Sequence, residues 1–184
     1  MVRHGVFHAP LLGTIPPPEV VVTFSADKAP RNRAKIVEAL LASPAYADHW
    51  TNYWDEELMG RDARGQDLDR AAFRRWLRTR FAENARWDRF ATELVTATGL
   101  NSNGGPRVPK GAWFPSEATE GDTSVNGAVN WLVRYEQTPQ DLAGSVSKTF
   151  LGVSIQCAQC HDHKTEKWTS NDFWSFASEA SSLA

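Results

Sequence analysis

Apolar positions recur at helical spacing through most of the chain. Ile36, Val37, Leu40 and Leu41 form one stripe and predict a helix over residues 34–42. Ser43-Pro44 is a cap followed by a proline at the first helical position. It opens a helix to about Leu58, with Tyr46, Trp50, Tyr53, Trp54 and Leu58 expected along its buried side and Gly60 as its stop. Phe73, Trp76, Leu77 and Phe81 mark the inner side of a helix over 68–83, with Arg74, Arg75, Arg78 and Arg80 outside or around it. Trp87, Phe90, Ala91, Leu94 and Val95 follow at the same period, and Val125, Val129, Leu132, Val133 and Tyr135 predict a helix over 124–136. Thr138-Pro139 with Asp141 starts another, which runs through Leu142, Val146 and Phe150 to Gly152. Ser170-Asn171-Asp172 caps a last helix bearing Phe173, Trp174 and Phe176.

Two stretches break the pattern. Residues 1–18 read as an extended, proline-rich lead-in ending in Pro16-Pro17-Pro18. A short helix from Glu19 to about Ala26 follows, although the β-branched Val21-Val22-Thr23 makes a strand the competing reading. Residues 99–122 form a long loop rich in glycine and proline, with Trp113-Phe114 expected to anchor it. No internal repeat is visible. The pattern predicts a single all-α domain over 1–184, an irregular multi-helix bundle.

Composition narrows the function. A net charge of −2 gives no basic field, so nucleic acid is not an expected partner. No stretch approaches the roughly 20 apolar residues of a membrane span. The first 22 residues lack the continuous apolar core of a secretory signal. Eight Trp and nine Phe would suit the walls of a haem pocket, and serve equally as ordinary core filling. The arginines of 74–80 would offer a face to an acidic redox partner; a solvated helix face is the favoured reading.

The chemistry concentrates in Cys157-Ala158-Gln159-Cys160-His161, followed by Asp162, His163 and Lys164. C-x-x-C-H is the attachment signature of a c-type haem. Positions i, i+3 and i+4 share one face of a helical turn, so two thiols can add to the two vinyl groups of one porphyrin while the adjacent imidazole reaches the iron. The chain has only two cysteines, and both lie here. Rival readings exist. Cys157, Cys160, His161 and His163 would supply four zinc ligands, but crowded into seven residues they rarely wrap a tetrahedron. A thioredoxin-like redox pair would want a βαβ context that the pattern lacks, and a short motif also arises by chance.

Three blocks carry a family likeness. They are Gly13-Thr14-Ile15-Pro16-Pro17-Pro18-Glu19 with Leu40-Leu41-Ala42-Ser43-Pro44-Ala45-Tyr46 and Tyr53-Trp54; Phe73-Arg74-Arg75-Trp76-Leu77 with Trp87-Asp88-Arg89-Phe90; and Phe150-Leu151-Gly152 leading to the C-A-Q-C-H-D-H-K run. On these the chain resembles a domain-of-unknown-function family that accompanies planctomycete-type cytochrome c modules in large exported proteins. The likeness runs from about Gly13 to Ser178. It implies a mostly helical domain of an exported, haem-associated protein and supplies no reaction. Thr165-Glu166-Lys167-Trp168 replaces the F-D-P-like run frequent in the family, and Met59 stands where a polar or basic residue is common.

The expectation is therefore an all-α bundle built around a covalently bound haem c, with Cys157 and Cys160 as thioether positions and His161 as the axial ligand. Met59, the only internal methionine, is the candidate sixth ligand; a core residue at a helix end is its competing role. His163 sits too close in sequence to reach the opposite face of the same ring. It would orient His161, bind a propionate or ligate a second haem. His4, His8 and His49 are the other imidazoles, and Lys164 and Arg134 are propionate partners on charge alone. The expected function is electron transfer by a monohaem cytochrome, a carrier more than a catalyst. It would work with other redox proteins or subunits of a larger complex on the exported side of a membrane. The alternative is a non-catalytic structural or binding module whose C-x-x-C-H-x-H run holds a metal or haem structurally.

Overall fold

Prolines begin three of the helices and a buried ion pair sets the orientation of the longest. The computed structural model describes residues 5–61, 68–101, 125–136 and 138–182, without side chains at 5, 6 and 180–182. Among these residues all regular structure is helical. The one β feature is an isolated parallel bridge between Leu100 and Val125.

The lead-in is not extended throughout, because Gly5–Leu12 is a helix, α1. Pro10 removes one bond of its ladder. Tertiary burial outweighs that loss: α1 packs on the third and fourth helices, His8 is buried, and the Arg33 guanidinium lies 5.3 Å over the Phe7 ring. Gly13 ends α1 at φ +68, and a β-carbon there would stand 2.3 Å from Nδ1 of His49. Glycine is thus demanded twice, by backbone and by space.

α2 is Pro18–Ala26, so the helical reading of this stretch holds over the strand, yet no residue of it is buried. α3 is Asn32–Leu41, tied back by Asn32 Nδ2, which donates to the carbonyls of Phe24 and Asp27 at 3.3 and 3.2 Å. α4, Pro44–Met59, has the expected Ser43 cap, whose Oγ accepts from the Ala45 amide at 3.2 Å. Its buried side differs from the expected aromatic stripe. Ala47, Thr51, Asp55, Leu58 and Met59 point inward, while Trp50 and Trp54 are half-buried and Tyr53 is exposed.

The reason lies on α5, Arg70–Ala82. Arg70 Nε donates to both Asp55 oxygens at 3.0 and 3.2 Å, and Arg74 Nη1 to Oδ2 at 2.6 Å. A carboxylate held by two guanidinium groups can be buried where an unpaired one cannot. The displaced rings form a flank that continues across helices: Tyr53 to Trp54 at 5.7 Å, Trp54 to Trp87 at 4.9 Å and Trp87 to Phe150 at 5.7 Å between centroids. The arginines of α5 are largely spent inside the chain, Arg78 on Asp48 and Arg80 on Glu83 and Glu93.

α6 is Trp87–Val95, inserting Phe90 and Leu94. The proposed helix over 124–136 is shorter: α7 covers only Val129–Arg134. The bridge occupies Val125, and the Gly127 backbone presses on α5, where an added β-carbon would come within 2.2 Å of the Ala72 carbonyl oxygen. Asn130, fully buried, joins three segments: its Oδ1 accepts from the Asp69 amide at 2.7 Å, and its Nδ2 donates to the carbonyls of Asn101 and Gly127 at 2.9 and 3.1 Å. Most of the long loop, with Trp113-Phe114, lies outside the described residues, as do residues 62–67. α8 is Pro139–Val146 and α9 is Ser170–Ser182. Leu58, Phe73, Leu77, Phe90, Trp131 and Phe173 are central members of one cluster that these helices share.

Asp55→Ala strands two guanidinium groups against α4. It is expected to lower unfolding stability by about 2 kcal/mol, since the arginines keep some solvent contact. Asp48→Ala, which breaks the exposed pair with Arg78, should change it by less than about 0.5 kcal/mol. Urea unfolding at neutral pH separates the two; equal losses would remove Asp55 as the organising charge.

Candidate functional site

The C-x-x-C-H run is positioned from both sides by helices. On its upstream side α8 widens at Ser147–Leu151 into a π-turn, and the Ser147 hydroxyl donates to the Gly144 carbonyl at 3.0 Å. Gly152 closes the turn at φ +67, and the Val153 amide returns to the Ser147 carbonyl at 3.1 Å. This hands the chain to Ile155, which is buried. Gln156–Gln159 is a single 3₁₀ turn with Cys160 closing it.

The motif was expected on an α-helical turn. The tighter turn alters its geometry, because residues i and i+3 eclipse in a 3₁₀-helix. Ile155 and Ala158 take the inward edge and are buried. Cys157 and Cys160, also three apart, are both exposed and both free thiols. His161 lies past the turn and is exposed.

The two imidazoles hold opposite tautomers. Nδ1 of His161 is 2.8 Å from the carbonyl oxygen of Asp162. A carbonyl only accepts, so Nδ1 of His161 carries the proton and, in the neutral ring, Nε2 keeps a lone pair. His163 is the reverse. The amides of Thr165 and Glu166 donate to its Nδ1 at 3.3 and 3.1 Å, so the neutral ring bears its proton on Nε2. His161 is therefore prepared as an Nε2 ligand, whereas His163 spends its lone pair on the turn over 163–166.

α9 clamps the downstream side. Asp162 Oδ1 accepts from the Ser170 amide at 2.9 Å, and the Trp174 indole N–H donates to the Gln159 carbonyl at 3.1 Å. The His163 amide donates to the Trp168 carbonyl at 2.8 Å. Phe173 and Ala177 bury the inner side of α9. The cap is one residue earlier than expected: Thr169 Oγ1 accepts from the Asp172 amide at 3.1 Å, and Asp172 Oδ2 accepts from the Thr169 amide and hydroxyl at 2.8 Å. The T-x-x-D spacing was the available signal for this reciprocal cap. Nothing in the sequence pattern marked Asp162 or the Gln159 carbonyl as partners of α9.

The other candidates are scattered. Met59 is fully buried in the central cluster. Arg134 Nη1 donates to the Leu58 carbonyl at the end of α4, and its guanidinium lies 4.9 Å over the Tyr135 ring. His49 stands against Gly13 and 5.4 Å from the Trp50 ring. His8 is buried in α1, Lys164 is exposed, and His4 lies outside the described residues. Among the described residues no three His, Cys, Asp or Glu side chains gather as a cage for a bare metal ion. The two thiols and two imidazoles of the motif are not folded around a common point.

Hydrogen bonds from the Thr169 amide and hydroxyl hold the Asp172 carboxyl below the usual range. A carboxyl whose folded value is depressed stabilises above its unfolded value, near pH 4, and loses that contribution as pH falls through the folded one. The Trp174 indole N–H resonance should therefore shift toward its free position as pH drops below about 4. Asp172→Asn should remove that titration. An unchanged acid transition in the variant would place the sensitivity elsewhere.

No curated protein and no solved structure matches the chain. A family match covers residues 7–183, nearly its whole length. The chain belongs to the PSCyt2 family, described as a protein of unknown function (DUF1549).

Proposed function

We propose that this chain is a monohaem c-type cytochrome domain that carries electrons within a larger exported redox assembly. One observation supports the reading most: His161 presents Nε2 with its lone pair, fixed by the Nδ1–H bond to the Asp162 carbonyl, directly after two exposed free thiols, one on the 3₁₀ turn and one closing it. Those are the three groups a haem c attachment requires, each in the right chemical state. The sulfurs of Cys157 and Cys160 would each add S–H across one vinyl group, so no atom leaves. His161 would take the iron, and Lys164, exposed beside it, is free to meet a propionate. A bound haem would supply one-electron exchange at its iron.

The surroundings suit a carrier. The motif lies at the surface, which keeps the edge of an attached ring near a partner. Trp174, about half exposed at 49%, adds apolar surface beside Gln159. The α9 clamp holds the loop still, and a small change of ligand position on electron transfer favours speed. The dispersed arrangement of thiols and imidazoles disfavours a bare-metal site of zinc type, and the tautomer of His163 excludes it as an Nε2 ligand while its turn is intact. The planctomycete cytochrome association and the exported location belong to this reading.

The chain produced in an exporting host with a haem-attachment system should gain the mass of one intact haem. It should retain colour after acid extraction and show a pyridine haemochrome spectrum. Cys157→Ala with Cys160→Ala should abolish the covalent gain, while His161→Ala should keep the thioethers and alter the iron spectrum. A colourless chain that instead holds zinc or copper would contradict the reading and favour a structural module.

A further inference from the structure

α4 and α5 leave an open groove of about 470 Å³, lined among others by Thr51 and Asn52 of α4 and Arg74, Arg75 and Arg78 of α5. Asp48 on its wall pairs with Arg78 and Asp55 pairs with Arg74, so the unbalanced cation there is Arg75. Arg74 uses Nη1 and Nη2 on Asp55 and Asn52, and Arg78 uses Nε on Asp48, leaving further N–H groups on both. Arg75 is exposed and makes no ion pair among the described residues.

Thr51 supplies the second, independent sign. It is only 3% exposed, and its Oγ1 is buried with no hydrogen-bond partner. A helical threonine ordinarily returns its hydroxyl to the carbonyl one turn back. Thr23, Thr79 and Thr96 of this chain all do so, at 2.8, 3.0 and 2.8 Å. Thr51 does not. Thr51 lines the groove, and its buried hydroxyl without a partner is a donor open to an acceptor seated beside it.

We propose that this groove binds a tetrahedral oxyanion, sulfate or phosphate, with Arg75 as the principal cation and the Thr51 hydroxyl as the inner donor. Arg74, Arg75, Arg78 and Thr51 all line the groove, and several N–H and O–H donors around one site suit an ion with four acceptor oxygens. The anion is either free or the ester group of a larger molecule. The site is separate from the C-x-x-C-H run and does not depend on the haem reading.

The test is titration of the full chain, followed by amide NMR at constant ionic strength, with inorganic sulfate, inorganic phosphate, methyl phosphate and chloride. Sulfate or phosphate should shift α4 and α5 resonances saturably, and chloride should not. Arg75→Gln should weaken binding by about tenfold or more, the loss of one charge-assisted contact. Thr51→Val, near in shape, should weaken it several-fold with the melting temperature held or raised. Tighter binding of methyl phosphate than of phosphate identifies an ester ligand, and the reverse a free ion. Equal shifts with chloride, or unchanged affinity in both variants, overturns the proposal.

Discussion

The carboxylate of Asp55, held between Arg70 and Arg74, decides which side of the longest helix turns inward. A charge on the inner side of α4 costs several kcal/mol unless it is paired. The pairing comes from α5, the next helix, so it fixes α4 against α5 in rotation and in register. Ala47, Thr51 and Leu58 follow Asp55 inward at helical spacing. Trp50, Tyr53 and Trp54 are turned to the flank, where they meet Trp87 of α6 and through it Phe150 of the π-turn. The same two helices line the groove that holds Arg75.

The C-x-x-C-H run has almost no core of its own. Ile155 and Ala158 pin it inward, and everything else that holds it is polar: the Asp162 carboxylate on the start of α9, the Trp174 indole on Gln159, the His163 ring on the turn behind it. Such a loop is exact without being buried. Its two thiols face solvent, and the imidazole that follows donates Nδ1–H to the Asp162 carbonyl. The aspartate and second histidine after the signature thus have architectural work, Asp162 through its carbonyl and carboxylate together and His163 through Nδ1. Of the two, Asp162 touches the His161 ring, through its carbonyl.

The sequence carried the helices whose ends have local chemistry. Pro18, Pro44 and Pro139 each start a helix as proline predicts, Ser43 caps its helix through its side chain while Thr138 does not, and the period of Phe90 and Leu94 marks α6. What stayed hidden was non-local. Asp55 reads as a surface residue until two arginines from another helix reach it, so of the expected stripe Leu58 is inside, Trp54 packs at the edge of the core and Tyr53 is exposed. α1 was hidden by Pro10, because its stabilisation comes from packing on α3 and α4. α7 lost its first turn to Gly127, whose need to touch the Ala72 carbonyl has no periodic signature. In the motif, residue types and spacing were legible. The 3₁₀ turn and the opposed tautomers were not, because both depend on which carbonyls and amides the fold brings within reach.

The most direct test of the central claim is the protonation state of the His161 ring in the haem-free chain, read by long-range proton–nitrogen NMR at a pH where both rings are neutral. His161 should show a protonated Nδ1 and an unprotonated Nε2, and His163 the opposite pattern. A proton on Nε2 of His161, or the same tautomer on both rings, would contradict the account of how this loop holds its two imidazoles.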